Sequence, residues 1–209
     1  MNGSPDATID ISDAELDVTL QKACVGVGLD LGTGIELGRA ALTMRFAGID
    51  PAPVFATALR KFGSGDAAEE GDFVLAISDG PAVCDRFIAE GGSTSGLLVD
   101  YPLIVLALLS ARGYCGRMTM ADCDDEAVFR NHTLCLKEAV SSAALTPSRI
   151  ALRQESADKL IAKDTGGCGF RGVDAVAWRE ICDLAARCLV SGSDESRLND
   201  AGAGLIDED

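Results

Sequence analysis

The stretch Pro102-Leu-Ile-Val-Leu-Ala-Leu-Leu-Ser-Ala-Arg112, followed by Gly113, decides the fold. It is apolar almost all round, and a helix without a polar face belongs inside a protein. It is expected to be the central core helix, stopped at Gly113. Beyond it the hydrophobic period changes from that of a helix to that of a strand. Arg117 to Met120 is strand-like. From Val128 to Leu136, alternate residues Val128, Arg130, His132, Leu134 and Leu136 fall on one face. Arg149 to Arg153 alternates again around Ile150 and Leu152. These three segments predict a small antiparallel sheet.

Upstream, the pattern is helical. Ser12 with Glu15 is a capping-box pair, and Leu16, Leu20, Ala23, Cys24 and Val27 follow at helical spacing. Gly26, Gly28 and Gly32 weaken and end that helix. A second pair, Thr33 with Glu36, opens a helix from about Ile35 to Phe46. Asp50-Pro51 starts a third, with Val54, Phe55, Ala58, Leu59 and Phe62 facing in and Gly63 at its end. Residues 64–71 read as a loop, Phe73 to Ile77 as a short buried strand, and Asp79 with Pro81 as the start of a helix to about Glu90. Gly91-Gly92-Ser93 breaks it. Downstream, residues 154–172 are polar and glycine-rich. A last helix runs from about Asp174 to Leu189 around Trp178, Ile181, Cys182 and Ala185.

The expected fold is α+β: a helical N-terminal half packed on a small antiparallel sheet, closed by a C-terminal helix and a Gly-rich tail. Residues 1–11 are expected to be a disordered N-terminus, and residues 12–209 a single domain.

Composition narrows the function. The net charge of −15 argues against nucleic acid or anionic membrane as a partner, since both need Lys and Arg to neutralise phosphate. Leu103 to Leu109 is the most apolar run and is far too short to span a bilayer. The eight cysteines show no Cys-x-x-Cys spacing and accompany a single histidine, so no metal site is expected. Most thiols lie in apolar segments, where Cys behaves as a small buried hydrophobe. Free thiols in a chain without a signal-peptide pattern point to the cytoplasm. No cofactor is indicated.

Three places carry candidate chemistry. Gly28-Leu-Asp30-Leu-Gly-Thr33-Gly34 resembles the first phosphate loop of the actin-like sugar-kinase and chaperone ATPase superfamily, where the Asp helps hold the metal ion and the Gly-Thr turn cups phosphate. That keeps an ATP-binding reading as a second alternative. The competing reading is a glycine-rich turn between two helices, because Asp30 lies between helical patterns and not after a strand. His132, beside Arg130 on a predicted strand, is a candidate general base. The acidic run Asp122 to Glu126 reads as a solvated turn.

The third place is the tail, Asp194 to Asp209. Arg197 offers a planar fork for a carboxylate or phosphate, with the Ser196 hydroxyl beside it. The amides around Gly202 and Gly204 can form an anion-binding nest. A structural tail, with Arg197 paired to Asp200 or Asp207, is the alternative. The ending Ser196-Arg197-Leu198, Ala201-Gly-Ala-Gly204, Asp207 and Asp209 resembles that of a bacterial domain-of-unknown-function family of similar length. The start, with glycines between two helices and Glu36-Leu-Gly-Arg39, and the Trp178 helix before the tail resemble it too. The chain departs from the family at Asp200. The resemblance implies a bacterial cytoplasmic protein of small-molecule catabolism and lends no reaction.

Two readings follow. In one, the chain is a catabolic enzyme or ligand-binding protein for a small anionic metabolite of carboxylate or amino-acid type. Ser196, Arg197, Gly202, Gly204 and Arg39 bind it, and Glu36 or His132 moves a proton. In the other, it is a non-catalytic partner subunit or homo-oligomer whose tail inserts into a neighbour.

Overall fold

The computed structural model describes residues 7–65, 73–121, 123–136, 144–160 and 172–188. The architecture is α+β, as expected. In chain order the elements are β1 (Thr8–Asp10), α1 (Asp13–Gly26), α2 (Leu31–Phe46), α3 (Ala52–Ser64), α4 (Gly80–Ala89), β2 (Ser93–Val99), α5 (Pro102–Ala111), β3 (Cys115–Met120), β4 (Cys123–Arg130), β5 (Thr133–Cys135), β6 (Ser148–Gln154), β7 (Gly172–Asp174) and α6 (Ala175–Ala186). A five-stranded antiparallel sheet runs in the order β2-β6-β3-β4-β5, and β1 pairs with β7 in a second, two-stranded one.

Helix α5 is the centre. Every residue from Pro102 to Ser110 is buried. Helices α2 and α4 and the inner face of the larger sheet pack around it, while α1 joins α2 to α6 on the far side. The sheet contributes Met118, Met120, Ala127, Phe129, Ile150 and Leu152 to the same hydrophobic cluster. Burial of this kind stabilises by roughly 25 cal/mol for each Å² of apolar surface removed from water.

Both ends of α5 are tied down. At the start, the buried Asp100 carboxylate accepts from Tyr101 N (2.8 Å) and Ala76 N (2.7 Å), and Leu103 N donates to Ala144 O. At the end, Ser110 O accepts from Gly113 N and His132 N, and Ser110 Oγ donates to Thr133 O. These bonds occupy backbone groups that a buried helix end would otherwise leave without partners.

The structure corrects several expectations. Residues 8–10 are not frayed. They pair with Gly172–Asp174, and the buried Arg45 guanidinium donates to Ile11 O at 2.6 Å. Asp30, not Thr33, caps α2: its carboxylate accepts from Thr33 N (2.9 Å) and Thr33 Oγ1 (2.6 Å). The helix therefore starts earlier and runs through Gly32 and Gly34. Phe73 to Ile77 is not a strand. It makes one bridge, Val74 to Val99, before Asp100 draws the Ala76 amide aside into turns. Ser93, expected to belong to the break after α4, instead opens a strand that runs to Val99. The run from Val128 to Leu136 is a hairpin. Asn131 and His132 form its two-residue turn with φ of 39° and 68°, as a type I′ turn requires. Cys123 to Glu126 belongs to β4 and not to a turn.

Three of the glycines around residue 30 serve helix packing, while Gly28, at a φ of 95°, makes the turn. A Cβ at Gly34 would press on Gln21 O at 3.2 Å, one at Gly38 on the flexible Asp17 carboxylate, and one at Gly26 on the Leu184 carbonyl oxygen of α6. Gly26→Ala is a test of sign. Alanine is the better helix former, so propensity alone predicts a gain. Contact with rigid backbone instead predicts a loss of about 1–3 kcal/mol, read as a lower urea midpoint. A gain would show that α1 and α6 are not close-packed.

Candidate functional site

The structure brings Glu36 and Arg39 together, but not as a catalytic pair. Both lie on α2 and line a recess of about 110 Å³ with Leu108, Ala111 and Arg112. The Glu36 carboxylate is taken by Arg112, which donates through Nε (3.1 Å) and Nη2 (2.5 Å). Arg112 Nη1 donates in turn to Asp85 (2.7 Å). One guanidinium thus clamps α2 and α4 to the end of α5. Glu36 is better described as half of a structural ion pair than as a proton-transfer group.

His132 is not on a strand. It occupies the β4–β5 turn, exposed, with its ring beside Gly113 and its amide spent on Ser110 O. Ser196, Arg197, Gly202 and Gly204 lie outside the described residues. The thiols of Cys24 and Cys84 are pushed up to about 12 by burial, which leaves them protonated and poor nucleophiles. Asp30, the residue of the phosphate-loop resemblance, is held below the usual carboxylate range, first by the Thr33 hydroxyl and then by the Thr33 amide. A helix, not a strand, precedes it.

A larger feature lies on the sheet face turned away from α5. Across it, Ser93, Arg153, Arg117 and Val128 stand in one row, and Ser95, Ala151 and Thr119 in the next. Alternation fixes this arrangement: Ile150, Leu152, Met118 and Ala127 point to the core, so their neighbours point out. All of these but Val128 line an open groove of about 280 Å³ together with Glu126.

The charges in this groove are ordered. Arg117 donates through Nε to Glu155 Oε2 (3.0 Å) and through Nη1 to Glu126 Oε2 (2.8 Å). Arg153 Nη2 donates to the other Glu155 oxygen (2.7 Å). Glu155 is thus held between two arginines from adjacent strands. Arg117 chiefly, then Arg153, keeps its carboxyl below the usual range. The pairing fixes both guanidinium planes while leaving N–H donors of Arg153 unused among the described residues. Surface ion pairs contribute little stability singly, so their value here is orientation.

Nothing local in the sequence marks this groove as a site. The alternation in Arg149–Arg153 marks which face is buried and leaves the role of the outer arginines open. Cross-strand register, which puts Arg117 opposite Arg153, is not visible in one sequence. Among the described residues, no cluster of three or more His, Cys, Asp or Glu side chains is placed to hold a metal ion, and no helix is long and apolar enough to cross a membrane. No protein-family model matches the chain, and no curated protein or solved structure matches it.

Two outcomes check this description. A type I′ turn prefers glycine at the second position, and a non-glycine residue in left-handed backbone costs about 1 kcal/mol. His132→Gly should therefore raise stability by about that amount in chemical unfolding; a loss would give the imidazole a structural role. The second concerns Asp100, whose carboxyl burial pushes above its ordinary value, against the pull of the Ala76 and Tyr101 amides. A raised acid favours the folded state fully below the ordinary value of 3.8. That contribution is lost as pH rises through the folded value. Asp100→Asn cannot ionise, so its stability deficit relative to the parent should shrink as pH rises through that window. An unchanging deficit from acid to neutral pH would contradict the shift.

Proposed function

We propose that this chain binds a small metabolite of amino-acid type in the outer groove of the five-stranded sheet. The observation that carries the proposal is the pair Arg117 and Arg153, oriented by Glu155 at the edge of an open, hydroxyl-lined groove that also presents Glu126. A simple anion would meet arginines already offset by glutamates. A zwitterion meets a complementary set: Arg153 for its carboxylate, Glu126 for its ammonium, and Ser93, Ser95 and Thr119 for further hydrogen bonds.

The reading keeps the ligand class expected from the sequence and moves its site from the tail to the sheet. It favours binding over catalysis, because Glu155 is locked in ion pairs and Glu36 is committed to Arg112. The resemblance of the chain's ending to the bacterial domain family extends the proposal to a cytoplasmic protein serving small-molecule catabolism.

Calorimetric titration with aspartate, glutamate and uncharged amino acids tests it. A hydrogen bond to a charged group contributes about 1.5–3 kcal/mol, so Arg153→Gln should weaken binding roughly ten- to hundredfold without unfolding the protein. Full affinity in Arg153→Gln, with loss in Arg197→Ala, would return the site to the C-terminal tail.

A further inference from the structure

The groove does not end at Arg117 and Arg153. A second open depression of about 230 Å³ continues along the same face, lined by Gly96, Thr119, Met120, Ala121, Arg149, Ile150 and Ala151. The two share Thr119 and Ala151. Together they form one channel along β6, with Arg153 at one end and Arg149 at the other.

Three features make this channel more than a gap between side chains. The outward residues of β6 alternate Arg149, Ala151, Arg153, so its floor is the smallest side chain between two of the largest. Alanine is a poor strand former, and sheet packing alone gives no reason for it at this position. Its cross-strand neighbours, Ser95 and Thr119, are short as well and bring hydroxyls to the same floor. Finally, the far end is built. Strand β2 bulges between Ser95 and Leu97, Gly96 takes a φ of 76°, and its carbonyl accepts from Arg149 Nη1 at 3.2 Å. That bond holds the Arg149 guanidinium at the channel's end, with other donors unused among the described residues.

From the strand rise, residues 149 and 153 stand about 13 Å apart, too far for the two carboxylates of one amino acid. An extended backbone of four residues covers that span. We infer that the groove takes a short extended peptide, with an acidic N-terminal residue at Arg153 and Glu126 and its C-terminal carboxylate on Arg149. This rests on the proposed function above and lengthens its ligand. The aspartate side chain and the free α-ammonium of the first residue occupy the zwitterion site. The middle residues cross Ala151, which has room only for a thin chain.

The probe is the tetrapeptide Asp-Gly-Gly-Gly with free termini, compared with the same peptide amidated at its C-terminus, both titrated calorimetrically. The free peptide should bind the parent about tenfold more tightly than the amide. In Arg149→Gln that difference should vanish, while the amide binds both proteins alike. Ala151→Phe should block both peptides and spare free aspartate. Equal binding of the two peptides to the parent, or a difference that survives in Arg149→Gln, overturns the inference and leaves the single-residue site standing. Failure of both aspartate and the peptides to bind the parent overturns the inference and the proposed function together.

Discussion

A helix with no polar side can exist in a soluble fold only where protein covers all of it. Helix α5 imposes that condition on everything around it. Its sides are covered by α2, α4 and the sheet. Its ends are a harder problem, since backbone groups there have lost water and have no partner within the helix. Leu103 N donates to Ala144 O at one end and His132 N to Ser110 O at the other, while Asp100 fixes the segment entering the helix through the Tyr101 amide. A buried carboxylate at one end and a strained turn at the other are each unfavourable locally. Each holds an end of α5 in place through a backbone hydrogen bond.

What the sequence showed follows from this hierarchy. The apolar run of α5, the Ser12 cap, the Pro51 start and the inward residues of the Trp178 helix all announce themselves locally, and all were legible. Strand β2 was not. Its Ser-Thr-Ser-Gly opening follows Gly91 and Gly92 and looks like a loop, and it becomes a strand only because β6 lies beside it. The turn at Asn131 and His132 was hidden for a similar reason: without glycine, nothing local marks the left-handed backbone that the α5 end demands. Thr33 looked like the cap of α2, but its own amide and hydroxyl donate to Asp30, which makes Asp30 the cap.

The candidate site was less legible than the fold. Glu36 and Arg39 were singled out and do lie together, yet Arg112, distant in sequence, claims Glu36. The groove needed three strands in register before Arg117, Arg153 and Glu155 became one unit. Alternation says which face of a strand is buried; it does not say which arginines will meet on the other. That face stands out electrostatically. In a chain of net charge −15, four arginines, Arg117, Arg130, Arg149 and Arg153, share one side of one sheet. Screening confines exposed charges to about 10 Å at ordinary salt, so a ligand in the groove responds to these arginines more than to the acidic remainder.

The pairing of β1 with β7 carries a consequence for folding kinetics. Thr8 and Asp174 are joined across nearly the whole described chain, whereas α1 and α2 meet through one short turn. Closing so long a loop costs entropy that only prior structure can offset. The docking of α6 on α1 spans the same separation in sequence, so one loop closure brings both contacts within reach. The two-stranded sheet and the α1–α6 contact are therefore expected to close together, joining the two ends of the described fold in one step.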